Sequence, residues 1–248
     1  SIEGDWRFNW VANADQRPTD FFKEGYDDSK WNTMKVPGIW EVNGYGDAEY
    51  VNVGFAWRGH FKDNPPEVPV KDNHVGSYRR TINIPDSWDG RQVIAHFGSV
   101  TSNIYLWVNG KFVGYAEDSK SAAEFDITPY LKKGDNLFAF QTFRWCDGSY
   151  SEDQDFWRLH GLFRSVELAA QPHVHIENMQ IESDWDPESG SASLDAALTV
   201  RNAADAATIS ATLKDSDGNV VWETANCADP DTSISTGSLN GIRPWSAE

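Results

Sequence analysis

Residues 144–164 read RWCDGSYSEDQDFWRLHGLFR, so acidic, basic and aromatic side chains stand side by side in one stretch. This mixture does not suit an ordinary core strand, because a buried carboxylate has to be paired or coordinated. A solvated loop, in turn, has little use for Trp145, Tyr150, Phe156 and Trp157 together. The stretch therefore favours a polar site walled by aromatic rings over an exposed loop.

The chain before this stretch alternates short apolar runs with turn residues. Residues 104–108 lead into Asn109-Gly110 and then into residues 111–115, which predicts a tight β-hairpin. Similar runs occupy residues 78–84, 93–97, 124–128 and 137–142. Helical periodicity is almost absent, and strands at such short spacing indicate a β-sandwich. Residues 62–76 are rich in Pro, Asn, Asp and Gly, which predicts a long surface connection.

After Gln171-Pro172 the composition changes. Aromatic residues become rare, and apolar residues alternate with polar ones over residues 194–200. Asp217-Gly218 predicts a hairpin between two further strands. These short strands are typical of an immunoglobulin-like sandwich. The sequence thus predicts an all-β protein with a first domain at residues 1–171 and a second at 172–248.

Length and charge exclude some classes of partner. The 248 residues allow one large or two ordinary domains. The net charge of −17 disfavours nucleic acid and anionic membrane surfaces. No apolar run approaches the ~20 residues that span a bilayer. Residues 1–5 lack the features of a signal peptide, so we expect a soluble chain, with a cytoplasmic or a periplasmic location left open.

Cysteine and tryptophan usage adds two expectations. Cys146 and Cys227 have no metal-type spacing, and we expect both to be free thiols. The twelve tryptophans are unusual for an acidic all-β chain. Flat apolar rings pack well on the C–H faces of pyranoses, so this content fits sugar recognition.

The opening stretch also carries a resemblance. It resembles the signature of the N-terminal sugar-binding domain of family-2 glycoside hydrolases, the large β-galactosidases in particular. The matching residues are Gly148-Ser149-Tyr150, Glu152-Asp153-Gln154-Asp155, Trp157-Arg158, Gly161 and Phe163-Arg164. The segments around Trp6, Trp31 and Trp40 are similar to the start of that domain, and Trp245-Ser246-Ala247-Glu248 is similar to the end of the domain that follows it.

This resemblance implies a jelly-roll sugar-binding domain followed by an immunoglobulin-like β-sandwich that is truncated at its C-terminal end. It also implies an intact parent that hydrolyses terminal β-galactosides with retention, using two glutamates of a downstream (β/α)₈ barrel. The chain itself would have no turnover. Its implied partners are the galactoside substrate and the barrel, and the intact enzyme is expected to be a homo-oligomer.

Three site residues follow from the resemblance. Asp155 matches an acid that accepts hydrogen bonds from galactose hydroxyls and helps to hold a sodium ion, which suits an acceptor-only, hard oxygen ligand. Asn52 matches an asparagine that contacts the sugar, although Phe55-Ala56 stands where the family has Tyr-Pro. Asp147 matches an acid of a magnesium site, with Glu117 where a glutamine is often found.

Each role has a structural alternative. Asp155 would instead pair with Arg144, Arg158 or Arg164, and Asn52 and Asp147 would be turn residues. A catalytic pair among Glu152, Asp153 and Asp155 is disfavoured, since a glycosidase needs two carboxyl groups ~5–10 Å apart across one bond.

Three other functions remain open at this point. The parent enzyme would be a β-glucuronidase or a β-mannosidase, the chain would be a free-standing carbohydrate-binding module, or its role would be purely structural.

Overall fold

The computed structural model describes residues 1–52, 54, 57–152, 155–203, 208–227 and 231–245, without the side chains of residues 226 and 227. The predictions made for Asp153, for Phe55-Ala56, for the side chain of Cys227 and for residues 246–248 therefore lie outside the described residues. The chain divides into unit 1, Ser1–Ala170, and unit 2, Gln171–Glu248. None of the helices described has the length and apolar character needed to cross a membrane.

Unit 1 consists mainly of β-strands. They are β1 (Gly4–Val11), β2 (Asn32–Val36), β3 (Gly38–Ile39), β4 (Glu49–Val51), β5 (Val75–Ile84), β6 (Gln92–Phe97), β7 (Val100–Thr101), β8 (Ile104–Val108), β9 (Lys111–Ala116), β10 (Ala123–Asp126), β11 (Gly134–Phe143), β12 (Phe156–Arg158), β13 (Gly161–Leu162) and β14 (Val166–Gln171). One helical turn, α1, covers Ser149–Glu152, and 3₁₀ turns lie at Ala14–Gln16, Glu41–Asn43, Asp86–Trp88 and Thr128–Tyr130.

The main sheet of unit 1 has the strand order β2-β1-β5-β11-β8-β9. Smaller sheets have the orders β10-β6-β14, β3-β13-β7 and β12-β4. The predicted hairpin at Asn109-Gly110 joins β8 to β9, and its two residues have φ angles of 51° and 78°. Two successive positive φ angles are what a two-residue type I′ turn requires, which explains the Asn-Gly pair.

Aromatic side chains fill the core of unit 1. Phe140 of β11 stacks on Tyr78 at 4.3 Å between ring centroids and meets Trp6 edge-on at 5.1 Å. The buried Tyr78 hydroxyl accepts a hydrogen bond of 2.6 Å from Nε1 of Trp40. Burial of a tyrosine or a tryptophan normally requires such a partner for its polar atom. The strands of the main sheet are thereby fixed against the segment that precedes β4.

Unit 2 is also built from strands. They are β15 (His175–Asp186), β16 (Ser191–Arg201), β17 (Thr208–Lys214), β18 (Val220–Cys227), β19 (Asp231–Ser235) and β20 (Leu239–Asn240). One sheet has the order β15-β16-β19 with β20 also on β16, and β17 pairs with β18. The small core contains Leu198, Val200, Ile209 and Ile234. The predicted all-β sandwich class is confirmed.

Candidate functional site

The stretch 144–164 is anchored at both ends and reaches the surface in between. At its start, Arg144 is buried and donates hydrogen bonds to Glu49 at 2.8 Å and to Asp72 at 3.0 Å. At its end, the backbone N–H and Nδ1 of His160 contact the Glu41 carboxylate at 3.0 and 2.7 Å. The buried side chains of Arg144 and His160 and their hydrogen bonds thus anchor the two ends of the stretch.

Asn52 and Asp155 lie at the same end of one strand pair. In the antiparallel ladder of β4 and β12, Val51 is opposite Phe156. The next residues beyond this pair are Asn52 on one strand and Asp155 on the other, and both are exposed. The fold thus brings together two predicted site residues that are far apart in sequence.

The described hydrogen bond of Asp155 comes from a tyrosine. The Tyr50 hydroxyl donates to Oδ1 of Asp155. This bond raises the pKa of Tyr50, because loss of the phenol proton would break it and place two negative charges together. Arg144, one of the alternative partners, is occupied by Glu49 and Asp72 instead. Oδ2 of Asp155 has no hydrogen-bond partner among the described residues.

Two exposed aromatic rings lie next to Asn52 and Asp155 on the same pair of strands. Tyr50 and Trp157 are opposite each other in the ladder, their ring centroids are 5.7 Å apart, and 52% and 59% of their surfaces are exposed. Asn52 makes no hydrogen bond to any described residue. We name the surface formed by Tyr50, Asn52, Asp155 and Trp157 the acidic edge. It offers a carboxylate, an amide and exposed ring faces, which are the groups that bind sugar hydroxyls and pyranose C–H faces.

Asp147 lies in a second cluster. Its carboxylate, that of Glu117 and the thiol of Cys146 have ligand atoms within 4.8 Å of one another. Glu117 is already bonded, since it accepts from the Tyr115 hydroxyl and from the Gly148 backbone at 2.9 Å.

This cluster fits magnesium only through its oxygen atoms. Burial raises the pKa of Cys146 to about 11, so the thiol stays protonated, and magnesium prefers oxygen ligands. The carboxylates of Asp147 and Glu117 suit a hard cation, and the Asp147 side chain has no hydrogen bond to a described residue. Cys146 is a free thiol.

Glu152 has a structural role. Its carboxylate accepts hydrogen bonds from the backbone N–H of Ser119 at 3.1 Å and from the Ser119 hydroxyl. These bonds attach α1 to the loop after β9. One of the three acids considered for a catalytic pair is thus used to hold the fold.

Sequence reasoning missed two features of this region. Tyr50 was not expected as the partner of Asp155, although Tyr50 and Asn52 share one face of an extended strand. The predicted surface connection ends in buried residues instead, with Asn73 3% and His74 7% exposed. Asn73 exchanges side-chain hydrogen bonds of 2.9 and 3.1 Å with the backbone of Trp145, and this satisfies its polar atoms on burial.

The described residues form an all-β architecture with an exposed edge of polar and aromatic side chains, and they include no (β/α)₈ barrel. The family model "Glycosyl hydrolases family 2, sugar binding domain" matches residues 1–172. The chain belongs to glycoside hydrolase family 2.

Its relatives are named β-galactosidases. It is 38% identical over 271 residues to the β-galactosidase BgaC of Bifidobacterium adolescentis, with 100% of this chain and 26% of the relative covered. It is 36% identical over 249 residues to the β-galactosidase of Halalkalibacterium halodurans, with 100% and 25% covered. The chain thus spans about a quarter of the length of these relatives.

A solved structure shares the fold. The β-glucuronidase of Bacteroides uniformis matches with a TM-score of 0.74 at 21% identity, over 99% of this chain and 28% of that protein. At this identity the likeness shows the fold alone.

Proposed function

We propose that this chain is the non-catalytic N-terminal portion of a β-galactosidase and that its acidic edge contacts the galactoside. The single observation that supports this most strongly is the ladder of β4 and β12, which ends at Asn52 and Asp155 on one exposed edge. The relatives at 36–38% identity, all named β-galactosidases, support the choice of sugar.

The edge binds and orients; it does not transfer protons to the reacting bond. Oδ1 of Asp155 is held by the Tyr50 hydroxyl, and Oδ2 remains available to accept a hydrogen bond from a sugar hydroxyl. The amide of Asn52 both donates and accepts, as a hydroxyl requires. The exposed ring of Trp157 provides an apolar surface for the sugar. In the proposed parent, two glutamates of a downstream barrel carry out hydrolysis with retention.

Two cations belong to the proposal. Asp155 would supply one oxygen ligand to a sodium ion, and the remaining ligands would come from the barrel. Asp147 and Glu117 would hold magnesium, while the protonated thiol of Cys146 stays outside the ligand set. The sodium ion would fix the position of Asp155 next to the substrate, and the magnesium ion would hold Asp147 and Glu117 together. The intact protein is proposed to be a homo-oligomer.

The test uses the intact protein encoded by the source gene and a chromogenic β-galactoside. Asp155→Asn keeps the size of the side chain but weakens its acceptor capacity and removes its charge, so we expect kcat/KM to fall about 10²–10³-fold. Asp5→Asn, an exposed acid on β1, is the matched control and should retain full activity.

Two results would contradict the proposal. One is an Asp155→Asn enzyme with wild-type kcat/KM. The other is an intact enzyme that prefers the matching β-glucuronide or β-mannoside to the β-galactoside. The isolated chain should hydrolyse none of the three, since it contributes no catalytic pair.

A further inference from the structure

The two-stranded sheet of β4 and β12 has two faces with different surroundings. Glu49 is opposite Arg158 and Val51 is opposite Phe156, so these four residues share one face. Glu49 binds the buried guanidinium of Arg144 at 2.8 Å. Arg158 is only 5% exposed, and its Cζ lies 4.2 Å from the centre of the Phe156 ring. This face is therefore anchored to the rest of unit 1.

The other face carries the acidic edge. Side chains at alternate positions of a strand point to the same side, so Tyr50 and Asn52 share this face with Asp155 and Trp157. Tyr50 is directly opposite Trp157, and Asp155, two residues before Trp157, is its diagonal neighbour. A diagonal neighbour is within reach of an aromatic side chain. Tyr50 thus contacts both the exposed indole and the carboxylate of the edge.

The hydroxyl of Tyr50 restricts the carboxylate of Asp155. An exposed carboxylate normally samples several rotamers. The Tyr50 hydroxyl donates to Oδ1, and it is the single donor to this carboxylate within the described part of the chain. A hydrogen bond to a charged acceptor is stronger than one between neutral groups. The bond therefore engages Oδ1 and limits the rotation of the carboxylate, which leaves Oδ2 for a sugar hydroxyl.

The ring of Tyr50 makes a second contact. Its centroid lies 5.7 Å from that of Trp157, with the two planes inclined by 54°. A sheet of two strands is only marginally stable by itself, and cross-strand aromatic pairs stabilise such a ladder. Both side chains keep more than half of their surface exposed, so Trp157 remains accessible to a sugar. One residue thus supports a polar contact and a stacking contact.

We propose that Tyr50 is a positioning residue of the galactoside site: its hydroxyl orients the Asp155 carboxylate, and its ring sets the position of Trp157. This inference rests on the proposed function, in which Asp155 contacts the sugar. The orientation of a binding group decides how much of its interaction reaches the transition state. Tyr50 therefore acts through these two side chains and not on the reacting atoms.

A double-mutant cycle in the intact protein, with a chromogenic β-galactoside, separates positioning from an independent structural role. Tyr50→Phe removes the hydroxyl and keeps the ring, so kcat/KM should fall about five- to twentyfold. In an Asp155→Ala background the same change should have less than about a twofold effect, because the group that it orients is gone. Tyr26→Phe, at a half-buried tyrosine outside the acidic edge, is the matched control and should keep full activity.

A second substitution tests the ring. Tyr50→Leu removes both the hydroxyl and the ring. We expect its KM to be about three- to tenfold above that of Tyr50→Phe, with kcat within about twofold, because Trp157 would contact the bound sugar and the transition state alike. This additional rise in KM should persist in the Asp155→Ala background.

Fluorine NMR of the purified chain, labelled with 3-fluorotyrosine, tests the hydrogen bond without turnover. The bond to Asp155 raises the pKa of Tyr50. The Tyr50 resonance, assigned by its loss in Tyr50→Phe, should therefore titrate at lower pH in Asp155→Ala than in the wild type. A residue with a merely structural role would show no such shift.

Four results would overturn the inference: wild-type kcat/KM in Tyr50→Phe, equal effects of Tyr50→Phe in the two backgrounds, equal KM values for Tyr50→Leu and Tyr50→Phe, or an unchanged Tyr50 titration in Asp155→Ala. In each case the proposed function still stands if Asp155→Asn is impaired. An Asp155→Asn enzyme with wild-type activity would instead refute the proposed function, and the role of Tyr50 with it.

Discussion

Unit 1 and unit 2 are both built from β-sheets, but they bury their apolar side chains in different ways. Unit 1 encloses large rings such as Trp6, Phe8 and Trp40, each at most 1% exposed. Unit 2 encloses a few aliphatic residues, of which Leu198 and Ile234 are 5% and 4% exposed. The acidic edge lies in unit 1. The candidate site is thus carried by the unit whose core is made of large aromatic rings.

The first strand of unit 2 illustrates the contrast. In an antiparallel ladder, directly opposite residues point to the same face of the sheet. β15 places three apolar residues opposite core positions of β16, yet they are half exposed: Ile176 50%, Met179 55% and Ile181 51%. Only about half of the surface of each side chain is covered among the described residues, so unit 2 gains less from the hydrophobic effect than its composition allows.

The largest expected effect is in the core of unit 1. Trp40→Ala leaves a cavity and removes the donor to Tyr78, so the free energy of unfolding of unit 1 should fall by about 3–5 kcal/mol. Chemical denaturation followed by tryptophan fluorescence measures it. Trp245→Ala, at a side chain that is 87% exposed, is the control and should change stability by less than about 0.5 kcal/mol. Equal effects of the two variants would refute the role of the aromatic core.

A matched pair of leucines compares the units directly. Leu106→Ala in unit 1 should cost about 3–5 kcal/mol, whereas Leu198→Ala in unit 2 should cost about 2–3 kcal/mol, because a thinner core collapses more easily around the lost atoms. Hydrogen exchange of β11 and β16 reports the opening free energy of each unit separately. If Leu198→Ala proves the more costly change, the proposed difference between the cores is wrong.

Lowering the pH should destabilise unit 1 more than unit 2. Burial lowers the pKa of His74 and of His160 below 6.5, and in unit 1 they lie beside Asp72 and Glu41. The unfolded chain therefore binds protons that the folded chain does not, so stability is fully present above pH 6.5 and is lost as pH falls through the lowered pKa values.

The measurement is the slope of unfolding free energy against pH between pH 7 and 5, from urea titrations. His74→Gln should make this slope flatter. His173→Gln, an exposed histidine of unit 2, is the control and should leave it unchanged. A steeper slope in His74→Gln would reverse the assigned direction of the shift.

The smallest expected effect on stability is at the half-exposed apolar side chains of β15. Ile181→Thr removes apolar surface that is already half exposed and keeps a β-branched side chain, so stability should change by less than about 0.5 kcal/mol. Light scattering at high concentration should show less self-association, since an exposed apolar patch is reduced. If the free energy of unfolding falls by more than ~2 kcal/mol, the side chain of Ile181 is buried in solution and the interpretation is wrong.

The sequence predicted those parts of the fold that depend on neighbouring residues. Asn109-Gly110 and Asp217-Gly218 both lie between paired strands, because backbone conformation in a tight turn is decided locally. The signature around Asp155 also gave the family, which the family model confirms.

Contacts between distant residues were not predictable in this way. Tyr50 meets Asp155, and Arg144 meets both Glu49 and Asp72, only after the sheets have assembled. No local pattern marks His74 as buried, since its burial depends on Trp10 and on the loop at Gly46.

The backbone N–H of Ile2 donates to the carbonyl of Val166, and Trp6 packs against Phe140. During synthesis, Ile2 and Trp6 are therefore made well before Phe140 and Val166, the residues that they contact in the folded unit. At about 5–20 residues per second this delay is roughly 10–30 s. Throughout that time the Trp6 ring lacks the Phe140 ring against which it packs in the folded unit, and the Ile2 N–H lacks its acceptor.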